Sequence, residues 1–247
     1  MGRKTLKKGC LNVAKKVFLD PGHGGSDPGA VANGLQEKQL TLNICKQIRD
    51  ILTSEYEDVH VKLSREGDTY LSLEERAKRA NAWGADLFVS VHINAGGGTG
   101  FESYVHTSQN SKTVNLRNTI HGEIMRHLDV RDRGKKAANF AVLRLTAMPA
   151  VLTENLFIDH ADDAKKLKSS AYIAVIARGH AEGIAKALGL KKKAQPKPNQ
   201  PKSNPGSSSD VYYRVVAGSF KDRENAEQRV AALRKAGFES FIDTYKK

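Results

Sequence analysis

Leu87-Phe88-Val89-Ser90-Val91 is a nearly continuous apolar run that leads straight into His92-Ile93-Asn94. A strand with one wet face alternates apolar and polar side chains. A run without alternation belongs to a strand buried on both faces, the habit of parallel sheets covered by helices. The flanks agree. Upstream, Val17-Phe18-Leu19 and Val59 to Leu63 are predicted strands, and between them Leu40, Ile44, Ile48, Ile51 and Leu52 share one helical face. Ser72-Leu73-Glu74-Glu75 has the form of a capping box opening a helix through Asn81. Downstream come a strand from Phe101 to His106, a helix marked by Ile120, Ile124 and Leu128, a short buried strand Ala150-Val151-Leu152-Thr153, and a last helix from Tyr172 to Leu188. Strands alternating with helices predict an α/β fold: a twisted, mostly parallel sheet flanked by helices.

The chain of 247 residues has room for one medium domain plus a small module. Leu188-Gly189 ends the last helical pattern, with glycine in its usual stop position. Residues 191–210 are rich in lysine, proline and serine and carry no apolar run, so they are expected to form a semi-extended linker. The expected organisation is a basic leader over 1–16, a catalytic domain over 17–190, the linker, and a small β-α-β module over 211–247. The leader lacks the roughly 7–15 apolar residues of a signal peptide, and no stretch approaches the about 18 needed to span a membrane. Synthesis in the cytoplasm without a signal peptide is therefore expected. Cys10 and Cys45 show no metal or disulfide spacing, and Cys45 is expected to be a small buried hydrophobe.

The formal charge of +13 predicts attraction to polyanions. Much of it lies in the leader, the linker and the last residues, and no aromatic-basic stacking platform accompanies it, which argues against nucleic acid as the partner. Anionic lipid and anionic wall polymers such as teichoic acids are the other partners of suitable charge, and charge alone does not choose between them.

In open α/β sheets the ligand site lies beyond the carboxyl ends of the strands. The first strand runs into Asp20-Pro21-Gly22-His23-Gly24-Gly25, the second into Ser64-Arg65, the buried run into His92 and the late strand into Glu154-Asn155. Catalytic zinc takes about three protein ligands from histidine and carboxylate and leaves one position open. His23 and His92 supply two nitrogens on one rim, and Glu37, near the start of the next helix, is placed to supply the third ligand. Glu154 is then free to move a proton as general base. Other readings of these residues stand beside this one. A single strand-end histidine is ordinarily a hydrogen-bonded core residue, and Glu37 suits the first turn of a helix for dipole reasons alone. The glycine-rich turn could cradle a phosphate, although no Gly-Lys-Ser/Thr follows it.

Several ordered segments resemble one family. They are Phe18 through Ala30, Ser64-Arg65-Glu66-Gly67-Asp68, Leu73-Glu74-Glu75-Arg76 with Ala80-Asn81, Val89 through Ala95, Gly100-Phe101-Glu102-Ser103-Tyr104 and Met148 through Glu154. Together they resemble the zinc-dependent N-acetylmuramoyl-L-alanine amidases of the amidase 3 type. The resemblance implies that His23, Glu37 and His92 bind Zn2+, that Glu154 is the catalytic acid/base, and that the substrate is peptidoglycan. The bond cut would be the amide between N-acetylmuramic acid and the L-alanine of the stem peptide. Arg65 and Asn94 lie in motif positions and are expected to be structural. Between Tyr104 and Gly134 there is room for one helix only, so no inhibitory helix is expected over the site. An enzyme of this kind made without a signal peptide would meet the wall after release or lysis, as a phage or prophage endolysin or a sporulation mother-cell lysis enzyme does.

In the tail, Tyr212 to Phe220 is a predicted strand and turn. A helix from Arg223 to Ala236 presents Ala226, Val230 and Leu233 on one face, Gly237 caps it, and Phe238 to Thr244 is a second predicted strand. This resembles half of a SPOR peptidoglycan-binding module, a family whose unit has about two such halves. Half a unit has a marginal core, so pairing with another copy, docking on the catalytic domain, or incomplete folding is expected of it.

Overall fold

The protein is described by a computed structural model covering residues 13–108, 110–194, 218–235 and 240–244. It divides into two compact units, Met1–Gln195 and Pro196–Lys247. The first unit is built on a six-stranded sheet in the order β4-β1-β5-β8-β6-β7. Its strands are β1 (Lys15–Pro21), β4 (Val59–Leu63), β5 (Leu87–Asn94), β6 (Phe101–Val105), β7 (Asp132–Ala137) and β8 (Ala150–Phe157). β4, β1, β5 and β8 run parallel, whereas β6 is antiparallel to β8 and parallel to β7. The mostly parallel α/β sheet is as expected from the unalternated run at Leu87–Val91.

Successive side chains on the central strands divide between two cores, as a pleated sheet requires. Val17, Leu19, Leu87, Val89 and Val91 face one way, under α1 (Glu37–Glu55), α3 (Ser111–His127) and α6 (Ser170–Leu188). Phe18, Phe88, Ala150 and Leu152 face the other, with Ala80 of α2 (Leu73–Trp83) and Val142 and Leu143 of α4 (Ala141–Arg144). The predicted α1 stripe is real: Leu40 is buried, and Ile44, Ile48 and Leu52 are wholly so. Each such side chain taken from water contributes roughly 1.5–3 kcal/mol. Cys45 is buried and unpaired in the same layer, as expected of a small hydrophobe.

Several boundaries shift. β1 begins at Lys15, because Lys15 donates its amide to the Asp58 carbonyl and Lys16 donates its own to the Asp86 carboxylate. Residues 191–193 stay with the catalytic unit: Glu57 donates to the Lys191 carbonyl, and Lys193 donates to the Glu55 carbonyl. The remainder of the expected linker, 195–210, lies outside the described residues. The capping box of α2 is half formed. Ser72 Oγ accepts from the Glu75 amide at 3.2 Å, but the Glu75 carboxylate turns to Arg79 at 2.8 Å. β7 escaped sequence reading because Asp132-Arg133-Gly134-Lys135-Lys136-Ala137 is a polar edge strand with no apolar pattern. The short hairpin of β2 (Val31–Ala32) and β3 (Leu35–Gln36) escaped too, although its Asn33-Gly34 turn, with both φ angles positive, is a strong hairpin signal.

His180, on α6, is a fully buried, packed residue. Its Nδ1 lies 2.8 Å from the Ile176 carbonyl and its Nε2 3.0 Å from Thr153 Oγ1. The first contact needs Nδ1 protonated and the second lets Nε2 accept, so the ring is neutral. Burial pushes its pKa down to about 4. An unfolded histidine takes up its proton near pH 6.5, and the folded one does so only near 4. Stability is therefore expected to fall as pH drops through this window, by on the order of 3 kcal/mol in all. Urea unfolding of wild type and His180→Gln between pH 7 and 4 checks this: the variant should lose that part of the slope.

In the second unit, described by itself, α7 (Arg223–Lys235) forms where the tail helix was expected. Ala226, Val230 and Leu233 are its half-buried positions, in agreement with the expected apolar face. Residues 240–244 pair with no strand among the described residues, and residues 212–217 of the first predicted strand lie outside them. No helix among the described residues is long and apolar enough to cross a membrane.

Candidate metal centre

The site lies at the carboxyl ends of β1, β5 and β8, where strand topology put it. β1 delivers the chain to His23, which sits at φ 61, a left-handed conformation uncommon for a side chain other than glycine. Two buried arginines hold this strained loop. Arg76 donates to the carbonyls of Pro21 and His23, each at 2.7 Å, and Arg65 donates to those of Pro21 and Gly22 at 3.2 and 2.9 Å. Beneath them Asp20 is wholly buried, accepting from Ser64 Oγ at 2.6 Å, Arg76 at 2.8 Å and Ser90 Oγ at 2.9 Å. Arg65 therefore belongs to the scaffold, as expected. Arg76 does the same work and was visible in sequence only as part of a motif.

The β2-β3 hairpin then turns the chain back, so that Glu37 arrives as the first residue of α1 rather than on the preceding loop. Its carboxylate is the hub of the site. Oε2 lies 3.1 Å from His23 Nε2 and Oε1 lies 3.0 Å from His92 Nδ1. The amides of Ala30 and Ile93 each donate to it at 2.9 Å. Burial alone would raise its pKa, but hydrogen bonds and charge from His23 and His92 hold it well below the usual carboxylate range. Glu37 is thus an anion at any working pH. Gly22 is required beside it, because a Cβ there would run into the His92 imidazole.

His23, Glu37 and His92 each offer a ligand atom, all within 4.8 Å of one another. Tetrahedral zinc with bonds near 2.0–2.1 Å sets its ligand atoms about 3.3 Å apart. Each histidine nitrogen lies near 3 Å from one of the two Glu37 oxygens, so the set fits a common ion after small side-chain adjustments. The groups behind the ligands fit as well: His23 Nδ1 is held by Asp27 Oδ2 at 2.8 Å, which turns Nε2 inward. Asn is not an equivalent at that position. Asp27→Asn is expected to weaken zinc affinity about 10–100-fold, read by competition with a chromogenic chelator.

Glu154 lies on β8 directly across from His92 on β5. It is not at a strand end, since β8 continues to Phe157. Its Oε2 is buried with no hydrogen-bond partner among the described residues. Burial raises its pKa to about 7. The four residues singled out from the sequence are thus brought together, and the phosphate-cradle reading falls away because the amides of Gly22, Gly24 and Gly25 already donate to the Val91 carbonyl, the Asp27 carbonyl and the Asp68 carboxylate. Glu102, opposite Glu154 on β6, is a site residue that sequence reasoning left unassigned. Asn94 Nδ2 donates to it at 2.8 Å, so Asn94 is structural as expected. Of the other histidines, His121 bridges Ser103 at 2.7 Å and Asp132 at 3.0 Å, but Ser103 is fully buried beneath α3 and has no path to substrate.

A histidine-glutamate-histidine set with an unpaired carboxylate beside it, at the carboxyl edge of a helix-covered sheet, defines a metal-dependent hydrolase. The family model for N-acetylmuramoyl-L-alanine amidases matches residues 17–186, and that for the SPOR domain matches 169–244. The chain belongs to the N-acetylmuramoyl-L-alanine amidase family, and with its His23, Glu37 and His92 set it is a zinc-type enzyme acting on peptidoglycan. A sporulation-specific N-acetylmuramoyl-L-alanine amidase of Bacillus subtilis (strain 168) is 51% identical over 227 residues, 92% of this chain and 84% of its own. The endolysin of Bacillus phage SPP1 is 53% identical over 188 residues, 74% of this chain and 69% of its own. A crystal structure of an N-acetylmuramoyl-L-alanine amidase from Clostridium difficile 630 superposes with TM-score 0.69 at 36% identity, over 71% of this chain and 97% of that one. The two family matches overlap over 169–186. That segment is most of α6, whose Ile173, Ile176 and Ala177 are buried in the catalytic core, so the SPOR likeness that stands apart from the catalytic unit is confined to the tail.

Proposed function

We propose that residues 17–190 hydrolyse the amide between the lactyl group of N-acetylmuramic acid and L-alanine, with His23, Glu37 and His92 as zinc ligands and Glu154 as general acid/base. The observation that carries this is the convergence of the three ligands with the unpartnered Glu154 Oε2 across from His92. Bound zinc supplies a water of lowered pKa and polarises the scissile carbonyl. Glu154 Oε2 takes the proton from the attacking water and returns it to the departing nitrogen of L-alanine. A pKa near neutrality suits both transfers. Asp27 and Glu37 fix the two imidazole rings, and Arg65 and Arg76 keep the His23 loop from relaxing.

The remainder of the organisation is proposed with it: a leader that ends where β1 begins at Lys15, a basic linker that begins after Lys193 and runs to 210, and a tail over 211–247 that holds the enzyme on wall, with anionic wall polymers as a second attraction for the +13 charge. The biological setting is wall lysis by an endolysin or a sporulation enzyme. The similarity to the sporulation amidase extends over 92% of the chain and that to the endolysin over 74%, which favours the sporulation reading. Because residues 191–193 pair with the catalytic unit, truncation belongs after 195. Removal of 196–247 should leave turnover of small soluble muropeptides unchanged and lower the rate on insoluble wall. A drop on both would make the tail part of the catalytic fold. The test of the reaction itself is the chemistry of the new ends made on purified wall. New N-terminal L-alanine is the expected product, and new reducing sugar or other amino termini would overturn the assignment.

A further inference from the structure

A cationic pair on the edge strand β7, two strands from Glu154, has no place in the steps above. A lysine-rich edge strand ordinarily turns its charges to water to discourage pairing. Arg133 and Lys136 of β7 instead turn inward. Arg133 Nε donates to Glu102 Oε2 at 2.8 Å, and Lys136 Nζ donates to the same oxygen. Glu102 is 3% exposed and is saturated, since its Oε1 accepts from Asn94 at 2.8 Å and from the Tyr104 hydroxyl at 2.7 Å. One buried carboxylate therefore faces two cations, and among the described residues neither cation is ion-paired with any other acid.

That charge is held in place. The Arg133 guanidinium lies over the Phe157 ring, 4.7 Å from its centroid, and Gly98 passes so close that a Cβ there would strike both. Only Nε of Arg133 is engaged, so its two terminal nitrogens have no acceptor among the described residues, and Lys136 donates to Glu102 alone. Both side chains remain partly open to solvent, at 26% and 38% exposure. A fork fixed in this way loses little entropy on taking an anion, and its geometry matches a carboxylate.

We propose that Arg133 and Lys136 form a receptor for a free carboxylate of the stem peptide, making the enzyme selective for walls whose stem peptides keep that group un-amidated. This rests on the amidase reading above. In wall peptides the residue after L-alanine is a glutamate joined through its side-chain carboxyl, which leaves its α-carboxyl free unless it is amidated. Extended chain covers about 3.3–3.6 Å per residue, so this group lies roughly 7 Å from the scissile amide. β7 lies two strands from Glu154, about 10 Å at ordinary strand spacing, and the long cationic side chains reach back across β6 to Glu102.

The experiment uses the full-length zinc enzyme on purified wall stripped of anionic polymers, before and after its carboxylates are converted to amides with carbodiimide and ammonia. Release of N-terminal L-alanine is followed. Wild type should slow about tenfold on the amidated wall, as loss of one charge-assisted hydrogen-bonded contact predicts. Arg133→Gln/Lys136→Gln should be slower by a similar factor on native wall, mainly through KM, and should no longer distinguish the two walls. Zinc content and unfolding midpoint identify a variant that merely misfolds, and in that case Lys136→Gln alone, at the more exposed position, should show a smaller loss of the same selectivity. Lys78→Gln, an exposed charge elsewhere, controls for bulk attraction to wall and should behave as wild type. Equal rates of wild type on both walls, or the wild-type ratio retained in a folded variant, would overturn the proposal. Absence of new L-alanine termini from native wall would instead sink the amidase reading beneath it.

Discussion

Glu154→Gln is expected to bind zinc as tightly as wild type while losing about 10²–10⁴ in turnover. The two halves of this result separate a proton carrier from a ligand. Glu154 lies across from His92 on the neighbouring strand, but it is absent from the group of three whose donor atoms converge. Its Oε2 is buried without a hydrogen-bond partner among the described residues, and burial is what raises its pKa to about 7. Glutamine keeps the volume and one acceptor oxygen but cannot accept and return a proton. The packing of β8 against β5 should therefore be undisturbed. Zinc content measured by metal analysis, beside the rate of L-alanine end formation, gives the answer. Loss of stoichiometric zinc in this variant would make Glu154 a ligand and leave the proton transfer without a carrier.

Glu37→Gln is expected to do the reverse, losing zinc first and activity as a consequence. Both carboxylate oxygens are engaged, one towards each histidine, and two backbone amides hold the group from behind. The amide substituent has no negative charge to offset the ion, and its NH2 would face a donor on one side. Zinc affinity should fall by at least about 10², more than for an outer-shell change, and excess zinc should restore part of the rate. Retained zinc with lost activity would shift the catalytic burden from Glu154 to Glu37.

How much of this was open to sequence reasoning depended on whether a residue's task shows in its local pattern. The unalternated Leu87–Val91 run disclosed a buried parallel strand, and strand-end reasoning then put His23, His92 and Glu154 on one rim, although Glu154 lies within β8 and not at its end. Glu37 was placed through its proximity to the glycine-rich turn, but the device that returns it to His23, the Asn33-Gly34 hairpin, passed unnoticed although its signal is local. Arg76, Asp27 and Glu102 could not have been assigned roles this way. Each acts across long sequence separations or through a single side-chain contact, and a buried charge is indistinguishable in sequence from an exposed one. β7 was missed for a related reason. Its polar residues resemble loop, and their inward aim at Glu102 is created only by pairing with β6.

One zinc, held by His23, Glu37 and His92, is proposed to make this fold a hydrolase of the glycan-peptide amide. The most direct test of this is to strip the full-length protein with a chelator and titrate zinc back while following new N-terminal L-alanine on purified wall. The stripped protein should be inactive, and activity should recover linearly and saturate at about one equivalent of zinc per chain. Full activity after verified removal of the metal, or saturation at a different stoichiometry, would contradict it.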